Sequence, residues 1–305
     1  MGIDLHNLNF LAHAQDLGVD YGRTLAIGRQ ALFVEDAALR AHQRLRQRPA
    51  LVWPAQLAGT PPYFEPLMSQ WFGSLQADAV DASPYEGARY IHDMNAPWPT
   101  EGEAAAARGH YDAVLDFGCL EHVFDFPTAW RNCVDLCRVG GHVLHALPAN
   151  NLSGHGFYQF SPELFFNLYR PARGFELKAL LFAMKADERR WWRVASPLQL
   201  HRRVTLCNGH EVYLLALAKK LREPGVLPPP QQSDYAEAAW IGQPVQDATP
   251  AQASRWQAPL AALGLLHPAR RARARWRALR GSGLSLPAPD YTRLDVADLL
   301  APKAR

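Results

Sequence analysis

YDAVLDFGCLEHVFDFPTAWRNCVDLCRVGGHVLHALPANN, residues 111–151, is the stretch that decides the fold of this chain. It contains two apolar runs of strand length, at 112–117 and at 143–147. The first run is closed by Gly118 and the second by Pro148, residues that commonly end strands. Both runs lack regular polar alternation, which is typical of strands that are buried on both faces.

The segment between the two runs is predicted to be a helix. Its apolar residues recur every three or four positions, Asp125 can cap its first turn, and Gly140 and Gly141 are expected to end it. A strand, a one-sided helix and a second buried strand predict a right-handed crossover in a parallel sheet. Ligands of such sheets lie at the carboxyl ends of the strands. Here those ends are residues 117–122 and 148–151.

These residues also carry a resemblance to a known superfamily. YDAVL at 111–115 followed by LEHV at 120–123 resembles the fourth-strand motif of class I S-adenosylmethionine-dependent methyltransferases. GHGFYQFSPELFF at 154–166 resembles a bacterial branch of that superfamily, and the resemblance covers roughly residues 22–221. It implies a Rossmann-like, doubly wound α/β fold with a mostly parallel seven-stranded sheet and an antiparallel last strand. It also implies S-adenosyl-L-methionine as cofactor, with Phe117 and Gly118 beside it.

Length and composition predict a soluble, globular, cytoplasmic protein. The chain has 305 residues, of which 48% are hydrophobic and 20% charged. No apolar run reaches the ~18 residues of a membrane span, and no secretion signal is recognised at the N-terminus. We expect a methyltransferase-like domain at 1–221 with an insertion at about 49–74, a Pro-rich linker at 222–253, and a basic amphipathic helical segment at 254–305. The aromatic insertion suits either a lid over a substrate or a helical bracket with buried rings.

Charge is distributed unevenly along the chain. Residues 254–280 hold seven arginines and no acid, so the net charge of +3 leaves −4 for the remainder. A mildly acidic body does not predict nucleic-acid binding. The basic segment suits contact with a membrane surface or an acidic partner, and equally a solvated helix packed on its own domain.

The four cysteines do not have the spacing of a metal site, and the sequence predicts no bound metal. Cys133 and Cys137 are one helical turn apart on an apolar face, as core residues often are. Cys119 follows a strand end, where it lines a pocket or acts as a nucleophile.

The first cofactor motif is expected after a strand at 24–27. The superfamily places a glycine-rich turn there, which lets the backbone approach the cofactor. This chain keeps only Gly28, so the resemblance implies cofactor contacts from Gly28, Arg29 and Gln30, with Arg29 pairing with the cofactor carboxylate. The alternative is that Gly28 only ends a strand.

Two acidic residues close the next two predicted strands, at 78–82 and 89–92. By the resemblance, Asp81 accepts the ribose hydroxyls, with Ser83 beside it. Asp93 and Met94 are implied at the adenine, where an acid accepts the amino hydrogens and an apolar side chain covers the ring. Either aspartate could instead be a turn residue.

The acceptor is expected beside the fourth and fifth strands. His122 and His155 are the candidate catalytic bases, because a near-neutral pKa suits proton transfer. Asn151, Tyr158 and Gln159 are candidate substrate contacts in an aromatic and polar loop. Alternatively, His122 only hydrogen-bonds backbone groups at the start of a helix, and the loop that carries His155 only leads into an ordinary helix that begins at 161–163. Glu121 is interpreted as a helix-terminus or structural carboxylate rather than a base.

Residues 175–185 and 211–220 are predicted to be the sixth and last strands, separated by an irregular basic and aromatic stretch. Trp191 and Trp192 in that stretch suit contact with an anionic acceptor or a position on a rim.

The sequence and the resemblance together favour methyl transfer from S-adenosylmethionine to an oxygen or nitrogen of a small-molecule or carbohydrate-like acceptor. The alternative is a catalytically degenerate protein of this fold that serves as a nucleotide-binding or interaction scaffold. A nicotinamide-dependent oxidoreductase is the third hypothesis, against which the absence of GxGxxG argues.

Overall fold

The computed structural model of the protein describes residues 2–54, 62–206, 208–225, 228–236, 286 and 289–302. Its strands are β1 Gly2–Ile3, β2 Arg23–Ile27, β3 Ala31–Leu32, β4 Gln76–Asp81, β5 Tyr90–Ile91, β6 Tyr111–Phe117, β7 Cys137–Asn150, β8 Phe175–Met184, β9 Arg190–Val194, β10 Val212–Lys220 and β11 Tyr291–Asp295. Its α-helices are α1 Leu5–Asp16, α2 Asp36–Leu45, α3 Glu65–Phe72, α4 Phe126–Leu136, α5 Pro162–Leu168, α6 Pro197–Leu200, α7 Ser233–Ala236 and α8 Val296–Leu300. Short 3₁₀ helices span Glu103–Ala107, Leu120–His122 and Pro171–Arg173. None of the described helices is long and apolar enough to cross a bilayer.

The main sheet has nine strands in the order β11-β9-β8-β10-β7-β6-β2-β4-β5. The five strands from β7 to β5 are parallel, and β10 is antiparallel to both β7 and β8. The structure therefore confirms the mixed α/β fold with a mostly parallel sheet. It also confirms that the last predicted strand, here β10, is antiparallel. The predicted number of seven strands is wrong, because β9 and β11 extend the sheet at one edge.

The two additional strands come from segments with unusual sequences. β9 falls in the stretch predicted to be irregular, where RWWRV places two adjacent tryptophans between two arginines. Trp191 and Trp192 point to opposite faces of the sheet and are 0% and 1% exposed, so both are core residues. The predictions of contact with an anionic acceptor and of rim positions are therefore both wrong. β11 comes from the segment predicted to be helical, whose residues 254–285 lie outside the described residues, as do residues 237–253 of the predicted linker.

The sheet is covered on both faces, as a doubly wound fold requires. Side chains alternate along each strand, so Leu25 and Ile27 join one hydrophobic cluster while Ala26 joins the other. Trp130 of α4 and Phe165 of α5 pack in the first cluster. The second contains apolar residues of α1, α3 and α8. These buried clusters hold the strand ends in fixed positions.

The central crossover forms as predicted, apart from where its helix ends. Asp125 caps α4, because its Oδ1 accepts the backbone N–H of Thr128 at 3.2 Å. The helix ends at Leu136, four residues before Gly140, and the two glycines belong to β7. A Cβ on Gly141 would lie 2.8 Å from the carbonyl oxygen of Asp112. Gly141 therefore permits close approach between β6 and β7.

The described part of the 49–74 insertion is a helical bracket. Trp71 and Phe72 of α3 are buried, as is Phe64 before it. The indole N–H of Trp71 donates to the carbonyl of Pro49 at 2.9 Å, which fixes the start of the insertion against α3. Residues 55–61 lie outside the described residues.

Candidate functional site

The strand order reverses between β2 and β6. From β2 the chain runs outward through β4 to β5, and then returns to add β6 and β7 on the other side of β2. In open α/β sheets the crevice at such a reversal, outside the carboxyl ends of the strands, is where ligands bind. The register places Ile27 beside both Val80 and Asp116, and Asp81 beside Ile91. The segments that follow these residues therefore meet at one edge of the sheet.

Gly28 makes the turn at the end of β2. Its φ of +74° lies in the left-handed region, and its N–H donates to the carbonyl of Val80 at 2.7 Å. The fully buried Gln30 side chain stabilises this turn, since its Nε2 donates to the carbonyls of Ile27 and Gly28 at 3.1 and 3.0 Å. The Oε1 atom of Gln30 is buried without a hydrogen-bond partner among the described residues.

Arg29 is held by neighbouring residues of the chain. Its Nε donates to Glu65 Oε1 at 2.6 Å, a second nitrogen donates to the carbonyl of Glu86 at 2.5 Å, and the guanidinium lies 4.1 Å from the ring centroid of Tyr63. The side chain is 26% exposed. These contacts join the Gly28 turn to α3. Pairing of Arg29 with a cofactor carboxylate stays a prediction.

Asp81 is the last residue of β4. Its Oδ1 accepts the backbone N–H of Ser83 at 3.1 Å, which orients the carboxyl group at the strand end. The carbonyl of Asp81 accepts the N–H of His92 at 2.8 Å and so ties the ends of β4 and β5 together. A carboxylate offers about four acceptor positions, and the Ser83 contact uses one of them.

Asp93 and Met94 follow β5. The exposed Asp93 accepts the backbone and side-chain N–H groups of Asn95 at 2.9 and 2.8 Å, and these hydrogen bonds lower the pKa of its carboxyl group. Met94 is 6% exposed and packs in the core beneath this turn. Asp93 therefore has the turn geometry that the alternative interpretation gives it, while it remains accessible to a ligand.

A buried network fixes the end of β6. Oδ1 of Asp116 accepts the backbone N–H groups of Cys119 and Leu120 at 3.2 and 3.1 Å. Oδ2 lies 2.6 Å from Nδ1 of His145, whose Nε2 lies 2.6 Å from the hydroxyl of Tyr169. Burial raises the pKa of the Cys119 thiol well above its usual range, which opposes a nucleophilic role. Because Asp116 and His145 are completely buried, the network fixes the turn at Leu120–His122, the LEH turn.

The LEH turn brings Glu121 and His122 next to His155 of the following loop. Oε1 of Glu121 lies 3.4 Å from Nε2 of His155 and 3.9 Å from Nε2 of His122, and the two imidazole centroids are 5.1 Å apart. Glu121 is 1% exposed, and burial together with the nearby Asp116 raises its pKa to about 8. Partial burial, with a contribution from His155, lowers the pKa of His122.

The loop that carries His155 closes directly onto Glu121. The N–H of Phe157 donates to the carbonyl of Glu121 at 2.7 Å. Gly156 has a φ of +79°, and a Cβ there would lie 2.6 Å from the same carbonyl oxygen. A residue without a side chain is therefore required where the loop meets the LEH turn.

A Gly156→Ala variant is expected to lose about 1–2 kcal/mol of the free energy of unfolding from the left-handed backbone, with a further loss from the clash. The variant should also displace His155 from Glu121. Urea denaturation measures the loss, and Gly154→Ala is the matched control. Gly154 has no positive φ, and a Cβ at this position would have no atom within 4 Å among the described residues. Equal stabilities for the two variants would contradict the contact between the loop and the turn.

The three predicted substrate residues stabilise the same loop. Asn151 has a φ of +54°, and its Nδ2 donates to the carbonyls of Asn208 and His210 at 2.9 and 2.7 Å. The hydroxyl of Tyr158 donates to the carbonyl of Phe124 at 2.6 Å. Oε1 of Gln159 accepts the N–H of Leu152 at 2.9 Å. These groups fix the loop, and their contact with a substrate stays a prediction.

A cavity of about 250 Å³ opens beside the LEH turn. Its wall includes the end of β6 and both histidines, together with residues from the N-terminus and from β7 and β10. The lining residues are Gly2, Asp4, Asn7, Phe33, Phe117, Gly118, Glu121, His122, Ala146, His155 and Tyr213. Gly28, Asp81 and Asp93 do not line it, although the sheet register places them along the same edge.

Three polar residues of this region are not among the site residues that the sequence predicts. The sequence indicates a helix-terminus or structural carboxylate for Glu121, and the structure shows this residue buried beside the two histidines. Asp4 and Asn7 belong to the N-terminal segment, and the sequence does not indicate that this segment contributes to the cavity wall. The LEHV motif itself is the available signal for Glu121.

Comparison with known proteins found no matching protein-family model and no matching curated protein. Two solved structures are similar to this chain at 13% sequence identity. One is the trans-methyltransferase CalH complexed with SAH, with a TM-score of 0.32 over 70% of this chain and 55% of that chain. The other is the branched-chain polyamine synthase of Thermus thermophilus complexed with N4-aminopropylspermidine and 5′-methylthioadenosine, with a TM-score of 0.34 over 72% of this chain and 56% of that chain. The aligned part thus spans little more than half the length of either protein.

Proposed function

We propose that this chain binds S-adenosylmethionine at the strand-order reversal and transfers its methyl group to an oxygen or nitrogen of a small-molecule or carbohydrate-like acceptor. The observation that carries the proposal is the convergence of four separately predicted segments on one sheet edge. Gly28, Asp81, Asp93 and Gly118 each follow or end one of four neighbouring parallel strands. Gly28 follows β2, which lies next to the strand-order reversal where nucleotide ligands bind in this fold class.

The residues at this edge suit an adenosyl group. In this proposal the Gly28 turn, Arg29 and Gln30 lie at the methionine moiety, and the unpaired Oε1 of Gln30 marks a buried acceptor in this turn. Asp81 and Ser83 accept and orient the ribose hydroxyls. Asp93 and the largely buried Met94 bind the adenine edge and face, and Phe117 and Gly118 border the sulfonium side.

Bound S-adenosylmethionine supplies the methyl group in an already activated form. The protein then has to align an acceptor and exclude water, because methyl transfer is an in-line displacement. His155 or His122 removes the proton when the acceptor is a hydroxyl or a protonated amine. Their imidazoles line the same cavity as Gly118, which supports this proposed role.

Exposed aromatic rings lie two residues beyond each candidate histidine in the sequence and fit a carbohydrate-like acceptor. Phe124 and Phe157 are 74% and 68% exposed, and their ring centroids lie 6.2 Å apart in an edge-to-face arrangement. Tyr158 packs against Phe157 with a centroid separation of 6.4 Å. Exposed aromatic faces next to a polar cavity provide apolar contact for a ring and hydrogen bonds for its substituents.

Isothermal titration with S-adenosylhomocysteine tests the cofactor part of the proposal. Asp81→Ala is expected to weaken binding by about 1.5–3 kcal/mol, since a charge-assisted hydrogen bond of that size would be lost. Asp36→Ala is the matched control, because Asp36 is 88% exposed on α2. Unchanged affinity in Asp81→Ala would remove this carboxylate from the site.

The same titration separates the proposed enzyme from the scaffold alternative. Arg29 and Gln30 are already engaged within the chain, which is the observation that favours a degenerate site. Failure of the wild-type chain to bind at millimolar S-adenosylmethionine would support the scaffold and overturn the methyltransferase proposal.

A further inference from the structure

We propose that Glu121, His122 and His155 form a binding site for one divalent first-row transition-metal ion, with an open position that faces the cavity beside Gly118. The three side chains each offer one ligand atom, and these atoms lie within 4.8 Å of one another. Two imidazoles and one carboxylate form a ligand set that suits zinc, cobalt and iron(II) better than magnesium or calcium.

The separations of the ligand atoms fit a shared ion better than direct hydrogen bonds. Oε1 of Glu121 lies 3.4 Å from His155 Nε2 and 3.9 Å from His122 Nε2. Hydrogen bonds between such groups are about 2.7–3.2 Å long. Ligands that are each about 2.1 Å from a tetrahedral ion lie roughly 3.4 Å apart. The separation between Glu121 and His155 equals this value, and rotation of the half-exposed His122 side chain would bring its Nε2 closer to a shared ion.

A buried carboxyl oxygen provides a second, independent indication of a ligand. Glu121 is 1% exposed, and its Oε2 has no hydrogen-bond partner among the described residues. An unpaired carboxyl group in such a position costs free energy unless a proton or a cation accompanies it. The group lies in the wall of a cavity, beside two imidazoles that are about half exposed.

The supporting structure fixes two of the ligands by their backbones. Asp116 holds the LEH turn through the N–H groups of Cys119 and Leu120. The Phe157 N–H and the close approach of Gly156 hold the His155 loop against the carbonyl of Glu121. Positioning of ligands by surrounding hydrogen bonds is typical of metal sites in proteins.

A metal ion at this site would determine which acceptors react, an inference that rests on the proposed methyl transfer. Three protein ligands leave a position for water or for an acceptor oxygen. An oxygen bound to a divalent cation loses its proton more readily, so the site would favour a hydroxyl acceptor over an amine. With a metal ion bound, His122 and His155 are ligands and no longer remove the proton, which passes instead to solvent or to a basic group of the acceptor.

Metal binding is tested on the full-length chain with Zn²⁺ by calorimetry and with Co²⁺ by visible absorption. We expect one ion per chain for the wild type. Glu121→Gln and His155→Ala should each lower the Zn²⁺ affinity by about tenfold or more and remove the Co²⁺ band. His201→Asn is the matched control, because this exposed histidine has a φ of +50°, which asparagine tolerates.

Titration of S-adenosylhomocysteine into the same variants keeps the two proposals separate. Retained binding of S-adenosylhomocysteine with loss of Zn²⁺ binding in Glu121→Gln supports the metal site and shows that the variant folds. Absence of Zn²⁺ binding to the wild type at millimolar concentration would overturn the metal site without affecting the cofactor proposal. Equal Zn²⁺ affinities in Glu121→Gln, His155→Ala and His201→Asn would show an adventitious ion only.

Discussion

An Asp116→Ala variant is expected to lose about 3–5 kcal/mol of the free energy of unfolding, the size measured when one partner of a buried polar pair is removed. Asp116 and His145 are both completely buried. Removal of the carboxyl group leaves Nδ1 of His145 and the N–H groups of Cys119 and Leu120 without their acceptor. Chemical denaturation of the wild type and the variant measures this loss.

The control for this prediction is Asp135→Ala. Asp135 pairs with Arg108 at 2.7 Å, but the two side chains are 22% and 33% exposed, so the loss should be at most about 1 kcal/mol. Asp116→Asn should lie between the two, because it keeps an acceptor for the turn but changes the hydrogen bond to His145. A loss in Asp116→Ala no greater than that of Asp135→Ala would show that the network contributes little to stability.

Much of the fold could be predicted because the core strands have simple sequences. β6 and β7 contain mainly apolar runs without regular polar alternation. Gly118 follows β6 as predicted, whereas Pro148 lies inside β7, which continues to Asn150. Polar residues likewise indicate where the next two strands end, because Asp81 is the last residue of β4 and Asp93 follows β5 by two residues. The sequence missed β9 because the arginines of RWWRV hide two tryptophans that are buried on opposite faces.

The contacts within the candidate site were harder to predict than the strand ends that surround it. His122 and His155 are predicted from their types and loop positions, and the structure brings their rings to a centroid distance of 5.1 Å. The sequence around Glu121 has no helical periodicity, so no pattern indicates whether its carboxyl group is buried or lies at a helix terminus. The contact between Gly156 and Glu121 depends on a loop closure over 35 residues, and no local pattern encodes it.

Stability should fall as the pH decreases from about 6.5 to 4, and His42 should account for a large part of the change. Burial, with the nearby Arg46 and Arg48, lowers the pKa of His42 from 6.5 to about 4. In this window the unfolded chain binds a proton at residue 42 that the folded chain does not bind. Stability therefore rises with pH between the two pKa values, by up to about 1.4 kcal/mol per pH unit and about 3 kcal/mol in all.

His42→Gln and His42→Phe remove the same titration in different ways and so test its assignment. The imidazole stacks on Trp71 with centroids 5.5 Å apart and rings inclined by 14°, and its Nδ1 lies 2.9 Å from Asn9 Oδ1. Phenylalanine can keep the stacking, while glutamine can keep a polar contact with Asn9, so the two variants should differ in stability at pH 7. Both should nevertheless show the same reduced slope of unfolding free energy between pH 6.5 and 4.5, measured by urea denaturation at several pH values. Two other groups also titrate in this window and act in opposite directions, because burial lowers the pKa of His142 to about 4 and raises the pKa of Glu121 to about 8. A wild-type slope in both His42 variants would show that His42 is not responsible.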